Sequence, residues 1–231
     1  VPKDSRAWRG QGQLGSLGSG NHFIELQHDG ERLWVMFHTG SRGFGHGLAT
    51  WYFARAQEEL GLSRGQMDLG YFTPESRTWK SYRNAVAAGG TYAIVNRLLI
   101  GRAVSRAFEE VFGGAAELVY EISHNLVQEE RHPDLFDRPV WIHRKGATRA
   151  LPAGHPMLAG TRWQNTGHPV LIPGSMGDSS YVLRPLPGAA RSLYSVNHGC
   201  GRRKSRTAAR RDISQAQADR QMRDLGVMVN A

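Results

Sequence analysis

The sequence predicts an α+β fold in a single domain, and three observations carry that reading. Stretches of strand character are short and come singly or as hairpin pairs, without regular β-α-β alternation. One long central stretch, Ser81–Val111, is apolar at about every third or fourth position, which is helical spacing. Glycine is abundant, 28 of 231 residues, with no collagen-like period, so structured turns account for it.

The elements follow in chain order. Residues 1–20 are a Gly-rich polar loop. Phe23–Leu26 and Leu33–Phe37 read as two short strands, and the Asp29-Gly30 pair between them is a strong hairpin signal. Residues 39–46 (TGSRGFGH) read as a glycine-rich loop, followed by helical spacing over Leu48–Leu60. Ser81–Val111 holds one or two long helices. Leu118–Ile122 reads as a strand running into a loop at Ser123-His124-Asn125. Val140–His143 is a strand ending in a basic turn. Pro169–Ile172 and Ser180–Leu183 are strands flanking residues 173–177 (PGSMG). Arg191–Val196 leads into Asn197-His198-Gly199, and a helix and a terminal strand are expected from Asp212 onward. There is no internal repeat and no low-complexity linker, so residues 1–231 are treated as one domain with mixed sheets.

Lys and Arg outnumber Asp and Glu by 29 to 20, a formal charge of +9, and the isoelectric point is about 10.2. A surface this basic suits a polyanionic partner, nucleic acid above all, and equally a plainly solvated basic face. The single cysteine, Cys200, rules out a disulfide framework within the chain and suits a reducing cytoplasm. No apolar run reaches the ~18 residues of a membrane span, and no signal peptide opens the chain. The opening at Val1, with a motif inside the first twenty residues, reads as a start within a larger protein.

Four histidines share one context. His22, His38, His124 and His198 each lie at or just past a strand end, beside Gly, Ser or Asn. Strand-end loops are where a rigid scaffold presents reactive groups. Imidazole binds transition metals and also serves as acid, base or nucleophile. A single histidine so placed is more often a hydrogen-bonded structural residue; four in one setting weigh sharply against that.

Phosphate-suited loops adjoin them. Residues 15–20 (GSLGSG) expose backbone N–H groups that an anion can approach. Ser41-Arg42 follows His38, and a guanidinium grips phosphate with two parallel bonds. His143-Arg144-Lys145-Gly146, residues 173–177 and the basic run at residues 202–206 (RRKSR) complete the set. Any one of these is an ordinary solvated turn. Together, beside candidate metal ligands, they favour a nucleotide or RNA-terminus site.

The motifs at residues 15–25 (GSLGSGNHFIE), 38–43 (HTGSRG), 123–125 (SHN), 143–147 (HRKGA), 173–177 (PGSMG) and 198–202 (HGCGR) resemble, in the same order, those of the RtcB family of tRNA-splicing RNA ligases. The resemblance covers residues 10 to 210 or so. It implies an RtcB-like catalytic domain with a central metal and nucleotide cleft. It implies a GTP- and manganese-dependent ligase that joins an RNA 2′,3′-cyclic phosphate or 3′-phosphate end to a 5′-hydroxyl end through a histidine-GMP intermediate. By motif matching, His198 is the nucleophile, and His22, His38 and His124 are ligands to two manganese ions. Asn21, Glu25, Ser175, Gly199, Cys200 and Gly201 belong to the nucleotide pocket, with Asn21 near the phosphates and Glu25 toward guanine. Arg42, Lys145, Arg202 and Arg206 are expected to contact RNA or phosphate. The implied partners are tRNA halves or damaged RNA and an activating protein factor; the implied setting is the cytoplasm, with no membrane.

Two departures qualify the match. The family's Asp-x-x-Cys segment, whose side chains complete the metal sites, is not among these residues, and neither is its C-terminal lysine toward guanine. A metal centre built from these residues alone is expected to be short of ligands, and ligation weak or absent. The alternatives that stay open are a 3′-phosphate nucleotidyl (capping) transferase of the same family and an inactive, RNA-binding remnant.

Overall fold

A computed structural model describes residues 5–63, 66, 69–199, 201 and 204–229. The chain divides into two compact units, residues 1–126 and 127–231.

The first unit opens with a short helix α1 (Arg6–Arg9) and the hairpin β1 (Phe23–His28) and β2 (Leu33–His38). The strands pair antiparallel, with Phe23 opposite His38 and Glu25 opposite Met36. Asp29 ties the turn. Its carboxylate accepts from Trp34 Nε1 at 2.8 Å and from the backbone N–H groups of Glu31 and Arg32 at 3.0 and 2.9 Å. These bonds, that of Trp34 foremost, hold its pKa down to about 2.

Helix α2 (Arg42–Leu60) and the long helix α3 (Trp79–Phe112) follow. The helix begins at Arg42, inside the stretch expected to be a loop. The Gly45 N–H to Ser41 carbonyl bond closes its first turn, and Gly43 N–H finds Gln13 Oε1 at 2.9 Å, which meets one of the orphan donors of the helix start. Tyr52 of α2 is buried and packs edge-on against Phe72 and Tyr82. Helix α3 buries Ala93, Asn96, Arg97 and Ile100, the spacing of one helical face.

Leu118–Ile122 forms no strand, contrary to the sequence expectation. Within it Glu121 pairs with Arg97 of α3, and just before it Ala116 O accepts from Ser105 Oγ of the same helix. The strand comes later, as β3 (Asn125–Glu130), which carries the chain from one unit into the next.

In the second unit β3 pairs with β4 (Val140–Lys145). β5 (Ala147–Arg149) pairs antiparallel with β8 (Ser195–Asn197), and β6 (Val170–Ile172) with β7 (Tyr181–Leu183). The apolar core is Leu151, Leu158 and Tyr194, flanked by Met157, Trp163, Ala189 and Ala190. Helices α4 (Arg206–Asp212) and α5 (Gln215–Asp224) follow, α5 opened by a Ser214–Gln217 capping box. The expected terminal strand is absent among the described residues. The N–H groups of Gly226 and Val227 fold back onto Arg223 O and Met222 O, which ends α5 in a turn. Among the described residues, strands therefore occur as four two-stranded ribbons alongside helices, an α+β architecture. No described helix is long and apolar enough to cross a membrane.

Candidate metal and phosphate site

In the first unit the hairpin presents the histidines. His38 is the last residue of β2 and lies across from Phe23, with ring centroids 5.7 Å apart. His22 immediately precedes β1, and its ring lies 5.6 Å from that of His38. His124 immediately precedes β3. Its ring meets that of His38 at 4.8 Å, nearly perpendicular, and the two Nε2 atoms are 2.8 Å apart. One of those nitrogens holds a hydrogen and the other accepts it.

That pair fits a divalent cation. A shared divalent cation would take the place of the hydrogen between the two Nε2 atoms and would accept a lone pair from each. His38 and His124 thus can share one ion.

His22 stands differently. Arg42 Nη1 lies 3.0 Å from His22 Nδ1. A guanidinium only donates, so Nδ1 accepts and the neutral ring carries its hydrogen on Nε2. His22 Nδ1 would be open to a cation only if Arg42 withdrew. Burial first, then the Arg42 charge, hold its pKa below the ordinary histidine value. Arg42 also reaches Ser16 Oγ at 3.3 Å, so it lies within the Gly15–Gly20 loop. Gly18 has φ +95°, and a Cβ there would stand 1.9 Å from the guanidinium. The positive φ favours glycine there, and the missing Cβ leaves room for the guanidinium.

Asn21 is exposed in the turn before β1, and Glu25 is half-buried on β1. In the antiparallel register Glu25 shares a face with Phe23 and His38.

In the second unit His198 follows β8, and the β5–β8 register sets Asn197 opposite Ala147. Its backbone N–H donates to Gly146 O at 3.3 Å, and its ring Nδ1 lies 2.7 Å from the same carbonyl. A carbonyl only accepts, so Nδ1 carries the hydrogen, and in the neutral ring Nε2 carries a lone pair. That is the tautomer a nitrogen nucleophile requires. Gly146 has φ +67°, and a Cβ would sit 3.3 Å from His198 Cε1. Glycine is needed there for both reasons.

Lys145, at the end of β4, is exposed. Ser175 Oγ donates to Asp178 in a tight turn. Gly199 O accepts from Asn197 Nδ2 at 2.7 Å, and Gly201 is exposed with φ +79°. Cys200, Arg202 and the Arg206 side chain lie outside the described residues.

Sequence reasoning missed two buried polar groups. One is Asn96 and Arg97 on α3, beneath the first-unit loops. The other is Glu130, His132, Arg144 and His155 in the second unit. The signal for the first was present: Asn96 and Arg97 occupy the apolar phase of the helix, where a polar residue needs a partner. Arg144 was read as part of a basic turn, but its guanidinium is buried on Glu130.

A family model described as tRNA-splicing ligase RtcB matches residues 2–231. The chain belongs to that family. A tRNA-splicing ligase RtcB of Thermococcus kodakarensis is 39% identical over 249 aligned residues, covering 96% of this chain and 51% of the relative. An RNA-splicing ligase RtcB of Mycobacterium bovis is also 39% identical, covering 91% of this chain and 53% of its own. A third, the tRNA-splicing ligase RtcB of Nanoarchaeum equitans, is 36% identical over 96% of this chain and 51% of its own. The chain thus spans about half the length of these RtcB relatives.

Proposed function

We propose that this RtcB-family chain takes part in GTP-dependent joining of RNA 3′-phosphate or 2′,3′-cyclic phosphate ends to 5′-hydroxyl ends, with His198 as the nucleophile. The observation that carries the proposal is the His198 tautomer, with Nδ1–H held by Gly146 O and a lone pair on Nε2. In this reading Nε2 attacks the α-phosphorus of GTP, the bond to pyrophosphate breaks, and GMP stays on the ring as a phosphoramidate. An oxygen of the RNA 3′-phosphate displaces the histidine and takes GMP. The RNA 5′-hydroxyl then attacks the phosphorus of the RNA 3′-phosphate, loses its proton, and the bond to GMP breaks, releasing GMP.

Manganese held by His38, His124 and, once Arg42 has moved, His22 would supply charge neutralisation at the phosphates. Arg42 would pass from His22 to a phosphate oxygen, the ligand its planar fork suits. Lys145, Arg202 and Arg206 would contact RNA, and Asn21, Glu25, Ser175 and the Gly199-Cys200-Gly201 turn would hold GMP. The relatives' names supply the tRNA-splicing context. The basic charge supports a polyanionic partner, whose affinity would fall steeply with salt.

The test is incubation of the protein with manganese and GTP labelled at the α-phosphate, followed by denaturing electrophoresis. Acid-labile label on the wild type and none on His198→Ala is expected. Equal label on the variant rejects the nucleophile.

A further inference from the structure

Helix α3 buries Asn96 and Arg97 side by side near its middle, Asn96 completely and Arg97 at 8% exposure. Buried amide and guanidinium groups are costly unless their donors and acceptors are met. Asn96 Oδ1 accepts from Gly15 N–H at 2.6 Å. Its Nδ2 donates to Ser16 O at 3.1 Å and Gly40 O at 3.1 Å, with Thr39 Oγ1 at 3.3 Å. Thr39 Oγ1 in turn donates to Leu17 O at 2.7 Å. Arg97 donates from Nε to Glu121 Oε1 at 2.5 Å, from Nη2 to Ser123 Oγ at 2.8 Å and from Nη1 to Thr39 O at 3.4 Å.

Three segments far apart in sequence therefore meet on two adjacent residues of one helix. Each borders the site. Residues 15–17 open the phosphate-suited loop before His22, Thr39 follows His38, and Ser123 precedes His124. Arg97 grips the neighbours of both histidines whose Nε2 atoms face each other. Asn96 ties the same Thr39-Gly40 segment to the loop. Glu121 balances the guanidinium charge, so the grip does not add an uncompensated positive charge beside a cation site.

We infer that Asn96 and Arg97 are positioning residues. Arg97 sets the His38–His124 spacing for metal, and Asn96 couples that pair to the Gly15–Gly20 loop, so that metal and phosphate bind cooperatively. This rests on the metal reading of His38 and His124 above. Arg97→Lys keeps the charge but cannot reach Glu121, Ser123 and Thr39 together. Asn96→Asp keeps the acceptor for Gly15 but loses the donors to Ser16 O and Gly40 O.

The test is direct manganese binding, read from the electron paramagnetic resonance of free manganese with and without GTP. Circular dichroism checks folding, and exposed Arg102→Ala on α3 is the control. Wild type and Arg102→Ala should bind manganese alike. Arg97→Lys should bind about 10–100-fold more weakly, the usual loss when a group that orients ligands is removed. Asn96→Asp should retain manganese affinity to within about threefold but lose most of the tightening caused by GTP. If Arg97→Lys does not fold, Ser123→Ala carries the test, with a smaller loss of about threefold or more. Wild-type-like manganese affinity in the folded Arg97 or Ser123 variant overturns the Arg97 role. Undiminished GTP coupling in Asn96→Asp overturns the Asn96 role. A wild type that binds no manganese fails the underlying metal reading instead.

Discussion

Two histidine clusters, one in each unit, have opposite hydrogen-bond logic. In the second unit the chain of hydrogens is fixed from end to end. Met157 N–H donates to His155 Nδ1 at 3.2 Å, so the neutral His155 carries its hydrogen on Nε2. That nitrogen faces His132 Nδ1 at 3.2 Å. His132 therefore carries its hydrogen on Nε2 and donates to Glu130 Oε2 at 2.8 Å. Arg144 closes the chain with a two-pronged grip on Glu130. Tyr194 stacks on His132 and donates to Asp134. Burial alone would raise the Glu130 pKa, but Arg144, His132 and Arg149 together hold it below the usual carboxylate range. Each ring nitrogen of His132 and His155 has an assigned role within the protein. The first unit sets two Nε2 atoms against each other, with only one hydrogen between them. The difference is between histidines committed to Glu130, Met157 and each other and a pair that, in the proposed function, would open to a cation.

That contrast can be broken most forcefully at Glu130. Glu130→Ala strands a buried arginine and should cost about 3–5 kcal/mol of stability. Chemical denaturation measures it. A loss below about 1 kcal/mol would remove the structural reading of the second cluster.

Acid should act on the same cluster at a somewhat smaller scale. Burial, then the charges of Arg149 and His155, lower the His168 pKa to about 4 from an ordinary 6.5. The unfolded chain takes the proton first, so this contribution is complete above pH 6.5 and lost as pH falls toward 4. The loss is about 3 kcal/mol, at about 1.4 kcal/mol per pH unit. His155 is lowered in the same direction, by burial first and then by His132. Denaturation followed from pH 7 to pH 4 should show this slope, and His168→Gln should reduce it. A slope unchanged by that substitution contradicts the assignment.

The first cluster should show the smallest effect on folding. His38→Gln is expected to shift metal-free stability by no more than about 1 kcal/mol, the scale of one ordinary hydrogen bond. It should, however, abolish the rise in melting temperature that manganese gives the wild type. An undiminished rise would count against His38 as a ligand.

The sequence was most legible where a pattern is local. The hairpin was announced by Asp29-Gly30 and two alternating runs, and α3 by its apolar spacing. The six motifs marked the family. Legibility failed where long-range bonding decided the outcome. Leu118–Ile122 has strand composition, but its Glu121 is held by Arg97 of α3. Arg42 reads as a phosphate ligand, yet it rests on His22, which no spacing rule could reveal. His132 and His155, each followed by a proline, carry no local mark of the buried network they join. Only the partners of each ring nitrogen, brought together by folding, separate the two kinds.

Histidine nitrogen-15 NMR with cadmium-113 in place of manganese tests the contrast most directly. One-bond splitting on Nε2 of His38 and His124, and none on His132, His155 or His168, is the predicted result. Splitting on the second-unit histidines, or no splitting on His38 and His124 at saturating cadmium, would contradict it.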